Sequence, residues 1–111
     1  ELVEIIEQKI GAGSGDQKRL ALLWADRGIK LDNALEIARR EYALRQDIYT
    51  ADTLAWVLYK KGAFEEAKKA SDEARRLETG DAKILYHAGM IEKQTGNKKE
   101  AKKLLQAALK T

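Results

Sequence analysis

Apolar and small residues recur along the chain at the spacing of helices, in stretches separated by short breaks. The stretches lie near residues 17–27, 32–46, 51–61, 63–78, 82–95 and 97–110. Each stretch is predicted to be a helix. The opening segment also places Leu2, Ile5, Ile6 and Ile10 on one helical face. We expect residues 1–10 to be the second helix of a trimmed unit or a cap over the first complete one, in a chain that is a piece of a longer protein.

Polar residues mark where several of these helices should begin. Asp16, Asp32 and Asp81 are suited to accept hydrogen bonds from the first N–H groups of a helix. Asn97, with Glu100 three residues later, predicts a capping box. The glycine-rich residues 11–15 are predicted to form a connector before the first of these helices.

Small residues also repeat along the chain at a separation of 34 positions. The pairs are Ala55 and Gly89, Gly62 and Gly96, Ala67 and Ala101, and Ala74 and Ala108. Two antiparallel helices can approach closely only where small residues meet, so position 89 is predicted to face position 101. Gly62 and Gly96 stand where a helix should end, because glycine adopts the left-handed conformation without steric cost. The period therefore predicts stacked helix–turn–helix units.

The chain resembles the tetratricopeptide repeat family, whose units are 34 residues long. Residues 84–101 read ILYHAGMIEKQTGNKKEA and carry the small positions of that repeat, and Phe64-Glu-Glu-Ala67 belongs to a second copy. The resemblance implies an all-α solenoid of about three units plus an N-terminal helix, in one domain spanning residues 1–111. The expected units are residues 16–47, 48–80 and 81–111.

The first expected unit departs from the family pattern. Gly28 matches the turn glycine, but the stretch from Ile29 to Asn33 holds one residue too many before Ala34. The proline near the end of each family unit is also absent, with Gln46 and Thr79 at about those positions. We therefore expect the turn geometry of this unit to differ from that of the other two.

The resemblance implies that the first helix of each unit lines a concave groove that binds protein segments. The corresponding residues are Lys18, Arg19, Leu22, Asp26, Tyr49, Asp52, Thr53, Trp56, Tyr59, Lys60, Lys83, Tyr86, His87, Met90, Lys93 and Gln94. Exposed aromatic and Met side chains beside basic residues would suit a peptide that is partly apolar and partly acidic. Trp56 has two interpretations, as an exposed anchor in this groove or as a ring tucked under a neighbouring helix. Some relatives grip a terminal carboxylate with paired asparagines, but Arg19 and Thr53 occupy those positions here.

Composition narrows the remaining function classes. The net charge of +3 favours acidic partners only mildly, and the lysines at 98, 99, 102 and 103 lack the interleaved aromatic side chains of a nucleic-acid site. The chain has no cysteine and one histidine, His87, which by itself forms neither a metal site nor a catalytic triad. No apolar run is long enough to span a bilayer. We therefore expect a protein-binding module that needs no cofactor and is not an enzyme. We also expect that it neither binds nucleic acid nor spans a membrane.

A second hypothesis is structural self-association. Leu104, Leu105 and Leu109 lie on the last predicted helix and would form an apolar strip if no further helix covered them. That strip could pair with another copy of the chain.

Overall fold

The computed structural model describes residues 14–110 and places six helices in that range. In chain order they are α1 (Ser14–Arg27), α2 (Leu31–Arg45), α3 (Ile48–Lys60), α4 (Phe64–Ala74), α5 (Ala82–Gln94) and α6 (Lys98–Lys110). The first helix of each hairpin begins at residue 14, 48 or 82, so these starts are separated by 34 residues. The predicted all-α helical repeat is confirmed. The amphipathic face predicted for residues 1–10 lies outside the described residues.

Each hairpin turn is built around one glycine with a positive φ angle. Gly28, Gly62 and Gly96 have φ values of 69°, 86° and 90°. The N–H of the residue after each glycine donates to the carbonyl five residues earlier, over 3.0, 2.9 and 2.9 Å respectively. This arrangement is the Schellman motif, which satisfies carbonyls that the helix end leaves without partners. The predicted turn glycines are therefore confirmed in all three units.

The extra residue of the first unit is accommodated at Lys30. Lys30 adopts a left-handed conformation, with φ 48° and ψ 40°, immediately before α2. It takes the N-cap position predicted for Asp32, so that prediction is wrong. Asp32 lies in the first turn of α2 and forms an ion pair with Lys61 instead.

The other predicted helix starts have different outcomes. Asp81 is confirmed as an N-cap, since its carboxylate accepts from the N–H groups of Lys83 and Ile84. Asp16 lies inside α1, which already begins at Ser14, so the predicted connector extends too far. The predicted capping box at Asn97 does not form, because the Asn97 N–H donates to the Glu92 carbonyl.

Small residues set the distance between helices, as their spacing predicts. A Cβ atom added to Gly89 of α5 would lie 2.7 Å from Leu105 side-chain atoms and 3.3 Å from the Ala101 carbonyl oxygen of α6. Ala74 of α4 packs in a buried cluster with Ala51 and Ile84, which belong to the helices on either side of it. Helix α4 is thereby brought into close contact with the following unit.

Six helices form two layers within the described part of the chain. The first helices of successive hairpins, α1, α3 and α5, pack closely against one another, whereas the backbones of the second helices, α2, α4 and α6, lie farther apart. Long side chains still reach between α2 and α4, as in the ion pair of Arg39 with Glu66 at 3.2 Å. A stack whose first helices are closer together curves toward them. Helices α1, α3 and α5 therefore line the concave side of the solenoid, and its outer helices splay apart.

Leucines on α6 do not form the continuous exposed strip that the sequence predicts. Leu104 is buried against Leu85 and Ala88, so its assignment to that strip is wrong. Leu105 is half-buried over Gly89, and Leu109 is 85% exposed. Only the outer part of this face is left at the surface.

Candidate functional site

A hollow of about 80 Å³ opens on the concave side, where α1, α3 and α5 meet. Its lining residues are Lys18, Leu22, Tyr49, Asp52, Thr53, Asp81, Lys83 and Ile84. Six of the groove residues predicted from the sequence are therefore brought together from three helices, namely Lys18, Leu22, Tyr49, Asp52, Thr53 and Lys83. Ile84 and Asp81 join them from the third hairpin.

Two tyrosines present exposed rings along this side. Tyr49 is 51% exposed and Tyr86 is 46% exposed. The Lys18 ammonium lies 5.5 Å from the centre of the Tyr49 ring, within the range of a cation–π interaction. The arrangement places an aromatic face and a positive charge next to each other at the rim of the hollow.

The carboxylates near the hollow already serve the protein itself. Asp47, the N-cap of α3, accepts a hydrogen bond of 2.8 Å from the Thr50 N–H. That hydrogen bond holds the pKa of Asp47 below its usual range, and the positive charge of Lys18 lowers the pKa further. Asp81 caps α5 in the same way. These acids stabilise helix starts and remain charged, so the rim carries carboxylate as well as lysine side chains.

Trp56 lies beneath the concave surface, with 5% of its area exposed. Its indole Nε1 donates to the Asp26 carboxylate of α1 over 2.8 Å, and its ring stacks on His87 of α5 with centroids 4.0 Å apart. The ring of Tyr59 stacks on it at 4.9 Å. The prediction that Trp56 is an exposed anchor in the groove is therefore wrong. The ring is instead tucked under neighbouring helices, where it joins all three hairpins.

His87 and Asp52 form a second buried contact between hairpins. The Nδ1 atom of His87 lies 3.0 Å from both carboxylate oxygens of Asp52, and the two side chains are 5% and 7% exposed. Thr53, one residue further along α3, is 1% exposed and donates its hydroxyl to the Tyr49 carbonyl. His87 and Thr53 thus belong to the floor and walls of the concave side rather than to its exposed surface.

Residues 82–111 match the family model described as tetratricopeptide repeat. The two preceding hairpins share its turn geometry and the 34-residue separation of their starts. The last hairpin is therefore a tetratricopeptide repeat, and the rest of the described chain is similar to it. A search of the curated proteins finds no match. Tetratricopeptide repeats generally mediate protein–protein interactions, and the repeat is a non-enzymatic scaffold.

The remaining predicted groove residues are spread over the inner helices α1, α3 and α5. Tyr59 and Lys60 flank Trp56, with the Lys60 ammonium 5.5 Å from the indole centre. Met90 packs half-buried against the main core, and Arg19 is exposed on α1. Lys93 lines a different hollow, between α5 and α6, and is not part of the hollow beside Lys18.

Metal-binding clusters and membrane-spanning helices are both absent from residues 14–110. No group of three or more metal-binding side chains is found among these residues. None of the six helices combines the length and apolar character needed to cross a membrane. What the concave surface supplies is aromatic area and a small hollow lined by apolar, lysine and aspartate side chains.

Proposed function

We propose that the tetratricopeptide repeats bind a segment of a partner protein along the concave side, centred on the hollow between α1, α3 and α5. The proposal rests on one observation above all, the meeting of Lys18, Leu22, Tyr49 and Lys83 around that hollow. Tyr86 extends the aromatic surface along α5. The family's general role in protein–protein interaction supports the same conclusion.

The chemistry of these side chains defines the segment that they would accept. The ring of Tyr49 and the side chain of Leu22 offer apolar contact, and tyrosines are frequent anchors of binding energy because they bury large area with few rotatable bonds. Lys18 and Lys83 offer positive charge beside that area. A segment that combines one or two apolar side chains with nearby acidic residues would satisfy both features.

The hollow is small, so the ligand is an extended segment and not an inserted bulky group. A volume of about 80 Å³ accommodates a side chain of modest size. The rest of the contact must come from Tyr49 at the rim and from the exposed ring of Tyr86 further along α5. An extended segment running across α1, α3 and α5 would use both tyrosines at once.

The test is affinity capture with a matched pair of variants. The Tyr49→Ala/Tyr86→Ala double variant removes exposed rings from the inner helices, and Leu44→Ala removes an apolar side chain that is 71% exposed on α2. Partners bound by the wild-type chain and by Leu44→Ala, but lost from the double variant, are the expected result. Equal recovery with all three proteins, each shown by circular dichroism to be folded, would contradict the proposal.

A further inference from the structure

A second groove runs along the last hairpin, between α5 and α6. It consists of two hollows of about 460 and 340 Å³, which share Leu105 and Leu109 as a common wall. The first also contains Ala82, Lys83, Tyr86 and Ala108. The second also contains Lys93, Lys98, Ala101, Lys102 and Gln106.

The internal repeat shows what fills such a groove one unit earlier. Ala74 stands 34 residues before Ala108, and it packs against Ile84 of α5. Lys68 stands 34 residues before Lys102, and its ammonium lies 2.6 Å from a carboxylate oxygen of Glu92 on α5. The groove between α3 and α4 is therefore occupied by a helix.

Glu92 is the polar centre of that occupied groove. It is 1% exposed, and its carboxylate is contacted by Lys68, by Arg75 at 3.8 Å and by the Asn97 amide at 2.8 Å. The ion pair with Glu92 also raises the pKa of Lys68, since the hydrogen bond stabilises its charged form. Helix α5, which occupies the groove, thus presents the Glu92 carboxylate, and the groove presents Lys68, which pairs with it.

The groove between α5 and α6 keeps the lysine of the occupied groove and is more apolar than it. Lys102 replaces Lys68 in the pattern, and Leu109 stands where the previous unit has Arg75. None of the described residues that line the two hollows is acidic, whereas four of them are lysines. A helix lying here would meet the leucine wall with its apolar face and the lysines with its carboxylates.

We propose that the groove between α5 and α6 binds an amphipathic helix of a partner protein, with an apolar face like that of α5 and a carboxylate that pairs with Lys102. A second copy presenting the same surface is a poor occupant, because lysines would face lysines across the contact. This groove shares Lys83 with the concave hollow, but Lys102, Leu105 and Leu109 do not line that hollow. The inference does not depend on the function proposed for the hollow.

The probe is a fluorescent synthetic peptide of residues 80–96, the segment that contains α5. A hydrocarbon staple at positions 86 and 93, which are exposed in the protein, keeps the isolated peptide helical. Fluorescence anisotropy measures its binding to the whole 111-residue chain. Lys102→Glu should weaken binding about tenfold, as should Glu92→Lys in the peptide, because each places like charges together.

Combining the two substitutions distinguishes pairing from general damage. The Lys102→Glu protein should bind the Glu92→Lys peptide about as well as the wild-type pair, because the charges are exchanged. Leu109→Lys should also weaken binding, whereas Tyr49→Ala on the concave side should leave it unchanged. No binding, or binding that is insensitive to Lys102→Glu and Leu109→Lys, would overturn the proposal. Sensitivity to Tyr49→Ala alone would place the helix on the concave side and would also overturn it.

Discussion

The indole of Trp56 on α3 stacks on the imidazole of His87 on α5, with the ring centroids 4.0 Å apart and the ring planes inclined by 13°. The same indole donates a hydrogen bond to Asp26 on α1. One ring contact and one hydrogen bond therefore join three helices, α1, α3 and α5. The concave surface is supported by these buried contacts between successive repeats.

Trp56→Ala is expected to destabilise the fold rather than to remove a surface anchor. Loss of a buried tryptophan side chain costs about 3–5 kcal/mol in free energy of unfolding. Tyr86→Ala removes a ring that is 46% exposed and should cost far less. Urea unfolding followed by circular dichroism compares the two, and similar midpoints would contradict the structural role of Trp56.

His87→Ala is expected to leave the Asp52 carboxylate buried without its partner. An unpaired buried charge is costly, so a loss of about 3 kcal/mol is expected. The double variant His87→Ala/Asp52→Ala should lose less than the sum of the two single variants, because it removes both members of the pair. Equilibrium unfolding of the four proteins gives this coupling, and strict additivity would show that the contact contributes nothing.

Glu41 on α2 offers a route to higher stability. It is 3% exposed, and its Oε1 atom has no hydrogen-bond partner among the described residues. Because the first unit has one extra residue before Ala34, Glu41 corresponds to Ala74 and Ala108 in the next two units. Glu41→Leu should raise the free energy of unfolding by about 1–3 kcal/mol, because it removes the cost of a buried unsatisfied group.

The control for Glu41→Leu is Glu41→Gln, which keeps the shape and the polar atoms of the side chain. It should change stability much less than the leucine variant does. Thermal unfolding of the three proteins in one buffer is sufficient. A lower melting temperature for Glu41→Leu than for wild type would show that the carboxylate is stabilising where it stands.

Asp47 should contribute stability that is lost in acid. Its pKa is lowered in the folded protein, chiefly by the hydrogen bond from the Thr50 N–H. The unfolded chain then binds the proton more readily, so the contribution is complete above the unfolded pKa and disappears as the pH falls through the folded one. Asp47→Ala should cost about 1 kcal/mol at pH 7. This difference from wild type should shrink below about pH 4, and a constant difference would contradict the assignment.

The repeat period and the turn glycines could be read from the sequence, and they predict the helices and hairpins of this fold. The 34-residue separation identified the repeat, and Gly62 and Gly96 stand at the turns that it predicted. The burial of Trp56 could not be derived in this way, because it depends on Asp26 and His87, which are 30 and 31 residues away. The sequence pattern predicts the start of α3 near residue 51, which is too late, because it does not identify Asp47 as the N-cap.

The candidate site was predictable at the level of helices but not of individual side chains. Assigning the first helix of each unit to the concave side brought Lys18, Leu22 and Tyr49 into one set, and these residues do line one hollow. The same assignment treated Thr53 and His87 as accessible, although packing between neighbouring units buries both. Exposure depends on how far each unit rotates against the next, which the repeat period does not specify.

The measurement that tests the central claim most directly is site-specific photo-crosslinking from the concave side. Benzoylphenylalanine is placed at position 49 in one protein and at position 44, on the outer helix α2, in another, and both are irradiated with a cell extract. The account predicts a discrete crosslinked partner from position 49 that is competed away by unlabelled wild-type chain, and none of that product from position 44. The same partner crosslinked equally from position 44, or only from there, would contradict the concave side as the binding surface.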